Sequence, residues 1–453
     1  MTSQRYGSSA ADTTSLARPL QFEPSGRVAK NRFMKAPMGE GLASWSPRVH
    51  HDRGIPTDEL VELYRRWGEG ENGWGVIITG NVETDFQSIS ASGDMIITTD
   101  CKPGGKRFEM FKKIAAVGKA SGSLMIAQIT HPGAKVQYKL NPVAISASEV
   151  SPEGKNGVKY GKPHAATRQE IARLIEGFAY AAEYLEKAGF DGIELHAAHG
   201  YLLSQFLSPL TNHRTDEYGA QTTESRLKFI SEVAKAIKAR VSPKFIVSAK
   251  LNSFEFQDGG VTDQEAKELC EALESIGFDF VELSGGTSEN GGMEWTKEST
   301  RRREAFFLEW AAKITSALRP GTKLKVYLTG GFRSAAAMVE GLDTVDGIGL
   351  GRPAATEPYL CRDILEGRVL GAIRPVQDFE NDFAGGLAIA GAQLAQIGNG
   401  KVPLDYGDEK VMEILKDDMK LWQQKTIEDG DKLEYVLPPR YSGPQFGYEA
   451  LAG

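Results

Sequence analysis

Two imidazoles and a phenol lie within six residues of one another, at His196, His199 and Tyr201. They belong to the segment Phe190–Gly219, FDGIELHAAHGYLLSQFLSPLTNHRTDEYG. Its first residues read as a short apolar strand ending at His196. A strand end that delivers two N–H donors and an O–H into one loop can polarise a carbonyl oxygen and protonate a nearby carbon. A single histidine at such a place is usually structural. Three converging polar groups argue for chemistry. A metal pair is the other reading, but these histidines lack the Cys or His partners of a closed zinc site, so no metal is expected.

Other positions carry weaker signals of the same kind. Gln128 donates and accepts at once, which suits the imide edge of a flavin ring; a buried amide satisfied by backbone is the alternative. Lys250 needs an anionic partner if it faces an interior, because unpaired buried charge is costly. A reduced flavin is one such partner, and a salt bridge to Glu194 or Glu282 is the competing account. Gly330-Gly331 and Gly349-Leu350-Gly351-Arg352 are small and rich in accessible backbone. Glycines let N–H groups approach an anion, and the Arg352 fork matches phosphate oxygens. Relief of crowding at turns would explain the glycines alone.

These positions punctuate a repeating pattern. Eight apolar runs read as strands: Arg32–Met38, Gly75–Gly80, Leu124–Ile129, Phe190–His196, Phe245–Leu251, Phe278–Ser284, Lys325–Gly330 and Gly347–Gly351. Most are continuous, as expected of parallel strands buried on both faces. Helical patterns separate them, the clearest from Thr167 to Lys187. There Thr167 and Glu170 form a capping-box signature, and Ile171, Leu174, Ile175, Phe178, Ala182 and Leu185 mark one apolar face. Others fall at Asp58–Glu71, Lys106–Ala120, Thr223–Arg240, Thr262–Ser275, Arg302–Leu318, Ser334–Glu340 and Pro358–Leu365. The alternation predicts an α/β fold, a (β/α)8 TIM barrel. A doubly wound open sheet is the runner-up, disfavoured because no Gly-x-Gly-x-x-Gly turn follows the first strand. Barrel active sites form at the C-terminal strand ends. That rule gathers Pro37-Met38-Gly39, Gly80-Asn81, Gln128, His131, His196 to Tyr201, Lys250, Ser284-Gly285-Gly286, Gly330-Gly331 and Gly351-Arg352 at one mouth.

Three segments follow. Residues 1–28 read as a loose, flexible lead-in and 29–370 as the barrel. The Pro132–Ala166 connection after the third strand is long enough for a lid or binding loop. Residues 371–453 form an extension with helices near Ala384–Gln396 and Asp408–Gln424, packing on the barrel or in a homodimer interface. The 453 residues are 41% hydrophobic with a net charge of −7 and no basic stripe, so nucleic acid is not an expected partner. Three scattered cysteines make no disulfide framework, zinc ribbon or iron–sulfur run. With no signal peptide and no run of eighteen apolar residues, a soluble, cytoplasmic protein without a membrane partner is expected.

Taken together the strand ends resemble the old yellow enzyme family of flavin oxidoreductases, over roughly residues 19 to 366. The most specific part is HAAHGYLLSQFLSPLTNHRTDEYG; NRFMKAPM, IAQITHPG, AISASEV, LTGGFR and GLGRP support it in the right order. The resemblance implies an FMN-binding barrel reduced by NADPH or NADH. A small-molecule activated alkene would then take the hydride. His196 and His199 would hold its carbonyl oxygen and Tyr201 would protonate Cα. Gln128 and Lys250 would meet the flavin ring, and Pro37, Met38 and Asn81 would line it. Gly331, Gly351 and Arg352 would hold its phosphate, with Gly285 and Gly330 among the cofactor contacts. Two positions depart from the pattern. Gly39 stands where a Thr or Cys usually touches flavin O4, which predicts an altered flavin potential. Lys250 stands where Arg is frequent. Alternatives are an NAD(P)H oxidase or flavin or quinone reductase, a biosynthetic reductase or isomerase, and a flavin-free barrel that only binds.

Overall fold

The structure is a computed structural model describing residues 3–7, 11–154, 158–252, 263–284, 308, 311–312, 314–316, 318, 321–376 and 383–448. The eight expected runs form eight parallel strands: β1 Phe33–Lys35, β2 Val76–Glu83, β3 Leu124–Thr130, β4 Gly192–Ala197, β5 Ile246–Asn252, β6 Phe280–Ser284, β7 Lys325–Thr329 and β8 Gly347–Leu350. Each pairs with its sequence neighbour. Ile348 pairs with Phe33 and Met34 with Val76, so β1 closes the sheet between β8 and β2. Closure leaves the barrel no open edge.

The period of two sorts each strand into two faces. Outward residues such as Ile77, Met125, Ala127, Ile193, Leu195, Val247, Val281 and Leu328 join the core shared with the surrounding helices. Inward residues Met34, Val76, Ile78, Leu124, Ile126, Ile246, Phe280 and Tyr327 form a separate cluster at the barrel floor. Phe22 completes that floor, with its ring 5.2 Å from Phe280. Continuing each inward row towards the strand ends brings in polar residues: Gln128, Glu194 then His196, Ser248 then Lys250, and Glu282 then Ser284.

β2 would break this parity, but its register slips between Ile78 and Asn81, so that Asn81 opposes Gln128. This bulge keeps Asn81 on the same side as Ile78. Gly80 sits in it because a Cβ would collide with the Glu40 carboxylate and the Met38 carbonyl.

The lead-in differs from expectation. Residues 14–29 carry a short helix and an antiparallel hairpin, Leu20–Phe22 with Arg27–Ala29. Its apolar residues are few, yet Leu20, Phe22 and Ala29 plug the floor. The helix Arg168–Lys187 starts at the expected capping box. The expected helix at Pro358–Leu365 appears as Leu360–Leu365, and a further short helix, Arg352–Thr356, precedes it. The extension holds the helices Phe383–Gly398 and Glu409–Asp429. Most of the helix expected at Arg302–Leu318 lies outside the described residues, as do Gly285 and Gly286. No helix among the described residues is long and apolar enough to cross a membrane.

Candidate active site

His196 sits on the inner row of β4, in register with Lys250 of β5. The chain then turns sharply: His199 has φ of 60° and Gly200 of 73°. The turn brings the two imidazoles together, with His196 Nε2 2.8 Å from His199 Nδ1. The Tyr201 ring stands perpendicular to that of His196, centroids 4.7 Å apart. The three residues singled out in the sequence therefore share one corner of the mouth.

Hydrogen bonding assigns the protons. The Thr130 hydroxyl donates to Asn81 Oδ1 at 3.0 Å. His196 Nδ1 then faces two acceptors, Thr130 Oγ1 at 3.2 Å and Asn81 Oδ1 at 3.3 Å, and carries the proton. His196 Nε2 accepts from His199 Nδ1, and His199 Nε2 accepts from the Ser284 hydroxyl at 3.3 Å. Burial holds His196 well below the ordinary histidine range and brings His199 down to about 3, so both rings are neutral. Burial raises the Tyr201 phenol, which keeps its proton throughout the neutral range.

Beneath this corner runs a polar row. Gln128 Nε2 donates to Glu194 Oε1 at 2.7 Å. Lys250 Nζ donates to Glu282 Oε1 at 2.8 Å. The salt bridge weighed as the competing account for Lys250 is thus present, with Glu282 as the partner. One ion pair does not exhaust an ammonium, which carries three donors. Burial, then the charge of Glu282, pushes Glu194 well above the usual carboxylate range. The Oε2 atoms of Glu194 and Glu282 are buried without a partner.

Across the mouth, Gly330 and Gly331 have φ of 138° and 78°. Gly351 N-caps the helix that begins with Arg352. Pro37 and Met38 are half-buried. A Cβ on Gly39 or Gly351 would meet nothing closer than 3.9 Å, so there is room beside both. That room, the amide and ammonium below it, and the glycine-rich turns with Arg352 suit a flat heteroaromatic ring carrying a phosphate.

Sequence reasoning missed two further buried carboxyls. Glu83 Oε1 accepts from Ser90 N at 2.8 Å, and Asp94 Oδ2 from Ala91 N at 3.1 Å. Burial, then the other's charge, raises Glu83 strongly; burial, then Glu40, raises Asp94 to about 7. After burial, the charges of Glu83 and Asp94 also raise the Tyr201 phenol, which puts this pair near it. The long loop is held by a further missed residue, Gln205, on the short helix Leu202–Leu207. It accepts from Ala134 N at 3.2 Å and Ser146 Oγ at 2.9 Å, and donates to Gly200 O at 2.7 Å and Pro132 O at 3.1 Å.

Residues 15–370 match the NADH:flavin oxidoreductase / NADH oxidase family. The chain is 47% identical over 437 residues to the NADH-dependent flavin oxidoreductase nadA of Aspergillus parasiticus, covering 96% of this chain and 97% of that one. Among solved structures it resembles the old yellow enzyme homologue from Zymomonas mobilis, with a TM-score of 0.63 at 23% identity, covering 82% of this chain and 99% of that one. Morphinone reductase in complex with tetrahydroNAD superposes with a TM-score of 0.62 at 22% identity, covering 80% and 93%. At those identities the two structures speak for the fold.

Proposed function

The chain belongs to the NADH:flavin oxidoreductase / NADH oxidase family, and from that premise we propose that it reduces the double bond of activated alkenes, α,β-unsaturated carbonyl compounds above all. When bound, FMN supplies the hydride chemistry, with NADH or NADPH as the source of electrons. Gln128 and Lys250 would meet the polar edge of the ring, and Pro37, Met38, Gly39 and Asn81 would line it. Gly330, Gly331, Gly351 and Arg352 would hold the phosphate.

The observation that carries the reading is the His196–His199–Tyr201 corner. A substrate carbonyl oxygen placed between the rings replaces their mutual hydrogen bond. It needs an N–H from each. His199 Nδ1 already points there. His196 supplies the second when the Thr130 hydroxyl turns to donate to Nδ1, which moves the ring proton to Nε2. Two neutral donors in a buried site stabilise the enolate-like charge as it develops. Tyr201 delivers the proton to Cα. Its raised pKa keeps the acid loaded until a strongly basic carbon appears beside it.

The test is the visible spectrum of the purified protein, followed anaerobically as NADH or NADPH and then 2-cyclohexenone are added. Bleaching by the nicotinamide and recovery with the enone is the expected outcome. Bleaching that recovers only in air would replace alkene reduction with an oxidase activity. A protein that stays colourless when supplied with FMN would remove the flavoenzyme reading altogether.

A further inference from the structure

The family match ends at residue 370, and the helix Phe383–Gly398 lies beyond it. It packs on the short helix Arg352–Thr356. Two contacts define the pairing. Thr356 Oγ1 donates to Gln393 Oε1 at 3.1 Å, while Gln393 Nε2 donates to Leu404 O at 3.0 Å. Nearer the start of the long helix, buried Gly386 lies directly against the Arg352 guanidinium, and a Cβ there would fall well inside contact distance of Nη1. Glycine is a poor helix former, so its use early in a sixteen-residue helix calls for a packing reason. The close approach of Arg352 is one. The helix is itself fixed: Leu394, Ala395 and Ile397 belong to the core shared with the barrel, and Asn399 Nδ2 donates to Glu59 Oε1 at 3.2 Å.

We propose that the helix Phe383–Gly398 forms a wall of the flavin-phosphate site, with Gly386 as the positioning residue that seats the Arg352 guanidinium. This rests on the reading of Arg352 as a phosphate ligand. An arginine has many rotamers, and one already seated loses less freedom when it grips an anion. The extension then governs affinity for the phosphorylated flavin and leaves affinity for the bare ring alone.

Gly386→Ala separates the alternatives. By helix propensity the change strengthens the helix. By packing it pushes away the far end of a flexible side chain, which yields without unfolding the protein. The measurements are dissociation constants for FMN and for riboflavin on protein stripped of its flavin, with thermal midpoints alongside. Gly386→Ala should weaken FMN on the order of tenfold, the scale of one disturbed charge-assisted contact. Riboflavin affinity should stay unchanged and the midpoint should be at or above that of the parent. Equal weakening of both flavins, or no weakening of FMN, overturns the proposal. Arg352→Met tells the failures apart. If it leaves the preference for FMN over riboflavin intact, the assignment of Arg352 to phosphate falls. If it abolishes that preference while Gly386→Ala does not touch it, only the role of the helix falls.

Discussion

His199 and Leu433 are the non-glycine residues with positive φ among those described. An imidazole-bearing residue held in the left-handed region is strained, and such strain persists where the surroundings fix it. Here Lys135 Nζ fixes it, donating to His199 O at 2.9 Å. The strain turns the second ring onto the first, and Tyr201 follows two residues later. Tyr201→Phe keeps the ring packing and removes the proton. It should slow alkene-driven reoxidation on the order of a hundredfold or more while NAD(P)H-driven reduction stays near the parent rate. Stopped-flow measurement of the two half-reactions decides this, and equal loss in both would remove Tyr201 as the donor. His196, His199 and Tyr201 were legible because they are adjacent in the chain. Glu83 and Asp94 were not, because only the fold joins them. Asp94 holds its proton to about pH 7 when folded and releases it near 3.8 when unfolded. Between those values the unfolded state binds fewer protons, so this group makes stability fall as pH rises. Asp94→Asn should flatten that fall and leave the protein more stable than its parent at pH 8. Urea midpoints across pH 4 to 8 check it, and an equally steep fall in the variant would assign the slope elsewhere.

Among elements, the long connection Pro132–Ala166 shows why the 196–219 segment is so distinctive. Beyond the histidines and tyrosine, many of its letters fasten that connection. Gln205 stitches Pro132, Ala134 and Ser146 to the turn at Gly200. Arg214 Nη1 donates to Ala147 O at 3.2 Å and Ala166 O at 2.7 Å, and His213 N to Ser148 Oγ at 2.8 Å. Gln205→Leu would leave several buried polar groups unpaired, at about 1–3 kcal/mol each. The expected result is a lower urea midpoint and faster proteolysis within residues 132–166. Cleavage there at the parent rate would mean that the connection holds itself. The eight strands were readable because burial on both faces makes them continuous apolar runs. The β2 bulge was not, since an extra residue leaves no mark on composition. Nor did the few apolar residues of the 20–29 hairpin announce that they plug the barrel floor.

On the scale of the whole molecule, the extension is woven into the barrel. Leu394, Ala395 and Ile397 share its core, Trp45 Nε1 donates to Leu433 O at 2.7 Å, and Arg440 pairs with Glu59 at 3.1 Å. Calorimetry should therefore show one cooperative transition for the full chain, and two resolved transitions would mark the extension as a separate folding unit. The sequence announced two helices after residue 371 but not where they dock, because part of what the first packs on, the helix Asp58–Gly68, lies hundreds of residues upstream. The start of the chain is tied in as well: Arg5 bridges to Ile373, and Tyr6 N donates to Ala372 O at 2.9 Å. Barrel closure has a consequence for the protein's birth. β1 pairs with β8, the last strand to be made. At ~5–20 residues per second, the emerging chain holds β1 without that neighbour for roughly tens of seconds. Through that interval the half-built sheet presents unpaired strand edges to other nascent chains, a hazard that ends only when β8 closes the ring.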